Sequence, residues 1–208
     1  GFPGFRKSGG GGEGRAPSSR LSRTPFVVSC SLLYLWMSAP VLLAAGAPEI
    51  GCSLARAAAW AGVGAAALGF LVAAIGDTQK SIAKARTGEN ALVTTGVFKY
   101  LRHPNYTGEV LLWSASTFVG IVSTAAHFSW PRLVGVGASL LGLLGIVFVL
   151  ARAAANLEKR QREAYGDDPA YSAWLQTSWA GPTLRLKVPE AAGAEAAPAD
   201  ASQPAAES

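Results

Sequence analysis

The chain has 208 residues, of which 50% are hydrophobic and 15% charged, with a formal net charge of +5. Its 18 Lys and Arg are shared among three segments instead of forming one stripe, which argues against a nucleic-acid partner. Two cysteines, Cys30 and Cys52, supply neither a disulfide framework nor a metal-ligand spacing, so no metal is expected.

Residues 1–24 are rich in Gly, Ser and Arg and contain a single acid, Glu13. Such a segment cannot build a packed core. It is expected to be a disordered basic tail or the remnant of an organelle transit peptide. The absence of an initiator Met leads to the expectation that the sequence starts within a longer protein.

Residues 25–182 read as a helical membrane domain. Asp, Glu, Lys and Arg are absent from Thr24 to Pro48, between Arg56 and Asp77, between Glu109 and Arg132, and between Arg132 and Arg152, runs of 25, 20, 22 and 19 residues. About 20 apolar residues cross a bilayer as a helix. The expected fold is therefore all-α, with about four transmembrane helices and a lipid bilayer as the surrounding partner. The first span, about 25–46, contains Pro40, where a kink is expected. The second, about 56–76, is mostly Ala and Gly and suits close helix approach.

A helical extension into water follows, with Asp77, Lys80 and Lys84 on one face and Gly88 as its stop. Thr94-Thr95-Gly96 makes a turn, and Val97–Leu101 is a short hydrophobic and basic stretch. Pro104 biases His103 away from helix and opens the third span itself. Asn105, Glu109 and Trp113 then share one helical face. Facing lipid, the two polar groups would be costly, so that face is expected to point into the bundle. The fourth span continues as a helix to Tyr165, Gly166 stops it, and Asp168-Pro169 leads into a C-terminal amphipathic helix around Tyr171–Trp174. Lys159, Arg160 and Arg162 read as a solvated face beside the membrane. Residues 183–208 end in an Ala, Pro, Glu and Ser stretch, expected to be a disordered acidic tail.

The basic residues are distributed asymmetrically. The N-terminal tail, the 77–109 loop and the C-terminal region hold five, five and six Lys or Arg, whereas the other two connections hold only Arg56 and Arg132. The positive-inside rule then places both termini and the loop on the cytoplasmic or stromal side, in an endoplasmic reticulum or plastid membrane.

Several segments carry a resemblance. They are Gly76-Asp77-Thr78-Gln79-Lys80, the run Thr95-Gly96-Val97-Phe98-Lys99-Tyr100-Leu101-Arg102-His103-Pro104-Asn105-Tyr106-Thr107-Gly108-Glu109, Leu157-Glu158-Lys159-Arg160, and Tyr165-Gly166-Asp167-Asp168-Pro169-Ala170-Tyr171. Together they resemble the steroid 5-alpha-reductase C-terminal domain family, closest to its branch of uncharacterised membrane proteins from bacteria, plants and algae. The resemblance implies a membrane-bound oxidoreductase that uses NADPH to saturate a carbon–carbon double bond in a steroid-like or other apolar lipid substrate. It also implies a cytoplasmic-side cofactor loop. On this resemblance Asp77, Lys80, Lys84, Arg102, Asn105 and Glu158 are expected at the cofactor, and Glu109, Tyr106 and His103 at the reacting centre. The chain departs from the family pattern in having two spans before the motif, in Trp174, and in the Ala153-Ala154-Ala155-Asn156 approach to Glu158.

Two alternatives accompany this expectation. Isoprenylcysteine and phospholipid methyltransferases, which use S-adenosylmethionine, carry a similar His-Pro turn. A non-catalytic membrane fragment could also retain the motif. For His103 a helix-capping turn competes with carbonyl polarisation, and for Tyr106 a place in the interfacial aromatic belt competes with a chemical role.

Overall fold

The computed structural model describes residues 23–88 and 91–181, so the expected acidic tail, and all but the last two residues of the expected basic one, lie outside the described residues. The described residues are almost wholly helical, and no strand occurs among them. The protein is an integral multi-pass membrane protein with four helices long and apolar enough to span a bilayer: α1 (Thr24–Ala45), α2 (Ser53–Thr87), α3 (Pro104–Ala126) and α4 (Trp130–Tyr165). A shorter helix, α5 (Pro169–Thr177), follows. Large apolar side chains on the spans point outward, with Trp60 69% and Leu144 67% exposed. In water that surface would be costly, whereas in hydrocarbon it is the natural lining.

The helix ends follow from local chemistry. Pro104 and Pro169 open α3 and α5, where a missing N–H costs nothing. Asp168 caps α5 by accepting from the Ala170 N–H at 2.8 Å. Gly88 stops α2 at φ 98°, a conformation that favours glycine, and its N–H bonds the Lys84 carbonyl at 2.9 Å. Pro40 does not end α1. The helix runs on through it, with the proline buried against α3.

With 35 and 36 residues, α2 and α4 are about 52 and 54 Å long, well beyond the roughly 30 Å hydrocarbon layer. Each therefore extends past the membrane, and α2 and α4 do so at the end where α3 begins.

Small residues set the packing. A Cβ at Gly108 of α3 would lie 2.5 Å from the Gly69 carbonyl oxygen and the Ala73 nitrogen of α2, and one at Gly69 would lie 2.6 Å from the Gly108 oxygen. The two backbones thus touch, as they do again where Gly76 meets Pro104 and Asn105. On the other side of α3, Met37, Ile146 and Leu150 form a buried cluster with Leu33, Tyr106, Val110, Trp113 and Leu143 around it. Gly142 lets α4 meet the α1 backbone at Trp36 and Met37. At the far end Arg132 donates to the Leu43 oxygen at 2.6 Å and to the Gly46 oxygen at 3.3 Å, which satisfies carbonyls that α1 leaves open.

Two outcomes follow from this architecture. Gly108→Leu should lower the melting midpoint in detergent, with an overpacking penalty of about 1–3 kcal/mol. Gly64→Leu should not, because a Cβ at Gly64 meets nothing within 4 Å. In a background without Cys30 and Cys52, a cysteine at Thr94 should react with an impermeant maleimide from the cytoplasmic side only, and one at Phe128 from the opposite side only. Labelling of both from one side would overturn the charge-derived topology.

Candidate functional site

The projecting ends of α2 and α4 flank the segment that leads into α3, and several ties fix that segment. The Val97 N–H donates to Gln79 Oε1 at 2.9 Å, which fastens the turn to α2. The chain passes over Gln79 at Gly96, where φ is 63° and a side chain would collide with the carboxamide. A single 3₁₀ turn, Gly96–Lys99, then buries Phe98. From the other side the buried Trp174 of α5 donates Nε1–H to the Phe98 carbonyl at 2.7 Å. The Trp179 N–H bonds the Tyr100 oxygen at 2.8 Å and the Arg102 N–H bonds the Trp179 oxygen at 2.9 Å. The segment after α5 therefore runs alongside the loop as a short parallel bridge.

At the entry to α3 His103 holds φ −132° and ψ 65°, outside the helical region, and is 2% exposed. Its Nε2 lies 3.2 Å from Glu158 Oε1 on α4, and Arg102 Nη1 donates to the same oxygen at 3.2 Å. The His103 ring stacks on Tyr106 with centroids 5.6 Å apart and planes at 18°. One carboxylate on α4 is thus gripped by two consecutive side chains of the motif. Tyr171 of α5 is buried close by, and burial pushes its phenol up from the ordinary value, so it stays neutral.

These ties leave a cleft of about 420 Å³ at this end of the bundle. That volume lies within the range of small-molecule sites, roughly 300–1,000 Å³. Lys80 and Lys84 contribute from α2, Arg102, His103 and Asn105 from the motif, and Arg160, Gln161 and Tyr165 from α4, over an apolar lining that includes Leu92, Phe98 and Leu157. Among the described residues every charged side chain on this lining is a cation, and none is a carboxylate. The arrangement suits a multiply charged anion.

Of the residues singled out from the sequence, Lys80, Lys84, Arg102, His103 and Asn105 meet on the cleft. Four others lie elsewhere. Asp77 is exposed on α2, beside the Gly76 contact with Asn105. Glu109 is half-buried one turn beyond Asn105 on α3. Tyr106 packs against the Met37–Ile146–Leu150 cluster. Glu158 is engaged by Arg102 and His103.

Arg160, expected from the sequence on a solvated face, lines the cleft, while its neighbour Lys159 pairs with Glu163 at 3.9 Å. Gln161 and Tyr165 were not singled out as site residues. Leu157, Arg160, Gln161 and Ala164 follow a helical i, i+3, i+4, i+7 stripe, the pattern that could have marked one face of the α4 extension as inward. Among the described residues no three His, Cys, Asp or Glu side chains are grouped to hold a metal ion.

No curated protein and no solved structure matches the chain. A family model does match, over residues 16–178, a range that takes in all four spans, the cleft and α5. The chain therefore belongs to the family described as protein of unknown function (DUF1295).

Proposed function

We propose that the protein is a membrane-bound, NADPH-dependent reductase of a carbon–carbon double bond in a steroid-like or other lipid substrate. The observation that carries this reading is the cleft whose charged lining, among the described residues, is cationic, with Asn105 of the first turn of α3 on the same lining. The motif resemblance to the steroid 5-alpha-reductase C-terminal domain family supports it. The residues present fit such a cofactor. A dinucleotide with a 2′-phosphate carries several negative charges, and Lys80, Lys84 and Arg160 offer both point charges and a planar fork. S-adenosylmethionine carries a positive sulfonium, which the same lining would repel, so the charge favours the reductase over a methyltransferase.

In this reading NADPH supplies the hydride. The chain's own residues do the rest. Lys80, Lys84 and Arg160 hold phosphates at the cytoplasmic end. Asn105 orients the reactive end through its carboxamide. Glu109, one turn deeper along α3, holds a proton on its carboxyl where an apolar substrate reaching out of the bilayer brings its double bond. His103 and Glu158 act as positioning residues. Their contact keeps α3 and the α4 extension at a fixed separation, and stacking with His103 holds the Tyr106 ring. The host membrane in this reading is the endoplasmic reticulum or a plastid membrane.

The decisive experiment is cofactor binding by purified protein in detergent. NADPH should bind and S-adenosylmethionine should not, and the reverse result would overturn the proposal. Replacing Lys80 and Lys84 by Ala should weaken NADPH by about 1.5–3 kcal/mol per lost charge-assisted contact while changing NADH little. Equal losses for both nucleotides would remove the lysines from the 2′-phosphate. Turnover per folded molecule separates chemistry from support. Asn105→Ala and Glu109→Gln should abolish turnover with the melting midpoint kept, whereas Glu158→Ala should lower both, since it leaves the buried His103 without its partner.

A further inference from the structure

Cations on the cleft account for an anion, but they do not account for Gln161. This residue lines the cleft from α4, next to Arg160, and its Oε1 is buried with no hydrogen-bond partner among the described residues. A buried acceptor without a donor is a cost to the ligand-free protein, and such groups are rare enough in folded chains to need a reason. Turning the carboxamide toward the cleft breaks no hydrogen bond at this oxygen, so the group is free to meet a ligand.

The chemistry of the missing partner is constrained. Fully ionised pyrophosphate, a phosphodiester and a fatty-acid carboxylate satisfy Lys80 and Arg160, but their oxygens are acceptors, as Gln161 Oε1 is. Two acceptors facing each other gain nothing. The ligand that completes this site carries anionic oxygens and, beside them, an O–H or N–H donor. Nucleoside phosphates have this pairing, because ribose hydroxyls stand within a few bonds of the phosphates.

We propose that Gln161 is the subsite for a ribose hydroxyl, and that this neutral contact makes the cleft select nucleotides over simple anions and acidic lipids. The inference rests on the nucleotide reading given above. It also explains why an unpaired carboxamide oxygen stands on a surface otherwise supplied with positive charge. The lysines and Arg160 bind any anion of suitable size, and Gln161 supplies the discrimination that charge alone cannot.

The test uses the full chain in detergent, with ADP-ribose and inorganic pyrophosphate as probes. Gln161→Met keeps the side-chain length and removes the acceptor. It should leave the melting midpoint of the ligand-free protein unchanged or raised, because an unsatisfied polar group disappears. ADP-ribose should bind about tenfold more weakly, the order expected for one lost hydrogen bond, with pyrophosphate unaffected. A fall in the midpoint would mark Gln161 as structural and overturn the inference. So would equal weakening of both probes, or no weakening of ADP-ribose, and either result leaves the cationic cleft and the proposed function standing. If the unaltered protein binds pyrophosphate but neither ADP-ribose nor its 2′-phosphate, the inference and the nucleotide reading fall together.

Discussion

The backbone contact between α2 and α3 at Gly69 and Gly108 governs the rest of the structure. Two helices that meet through side chains can slide and rotate by ångströms at little cost. Helices whose main chains touch at Gly69–Gly108 and again at Gly76–Asn105 cannot. The contact fixes the register between the α2 extension and the start of α3. In that register Lys80 and Lys84 of α2 come to the same cleft as Asn105. Inside a bilayer, where lipid is as apolar as leucine, such close packing is one of the few sources of helix association. The glycines therefore do for this bundle what a large apolar core does for a soluble protein.

A second set of ties works on the opposite wall. α4 reaches the motif through one carboxylate, Glu158, shared by Arg102 and His103. α5 reaches it through the Trp174 indole and the backbone bonds of Trp179. The loop between α2 and α3 is thus held on three sides. Such loops carry function well because the scaffold, not the loop's own propensity, sets their shape. Arg102 shows the division of labour. It lines the cleft and is also spent on Glu158, so its charge toward a ligand is already partly compensated, unlike that of Lys80.

The elements and one wall of the cleft are legible in the sequence, and the other wall is not, for a physical reason. Charge-free runs of bilayer length, proline at a helix start and glycine at a helix stop are local signals, and α1 to α4, Pro104 and Gly88 stand where those signals put them. Pro40 lies inside the expected first span, and α1 continues through it with the proline packed on α3 at Gly120. The α4 wall of the cleft was not legible in the same way. Arg160 and Gln161 look like any polar pair just outside a membrane, and only the approach of the α4 extension to the motif turns them inward. The Glu158–His103 contact joins residues 55 apart in the chain, which no periodicity reports.

α4 is one unbroken helix from Trp130 to Tyr165, and it is fastened at both ends. Arg132 secures one end to the last carbonyls of α1, and Glu158 secures the other to the motif, roughly 39 Å away along the axis. A rod pinned in this way cannot tilt alone. A bilayer that thins or thickens is accommodated by helix tilt. With α4 held to α1 at one end and to the motif at the other, tilt carries these elements together, and Arg160 and Gln161 keep their place beside the motif. The double fastening in this way shields the width of the cleft from changes in lipid thickness.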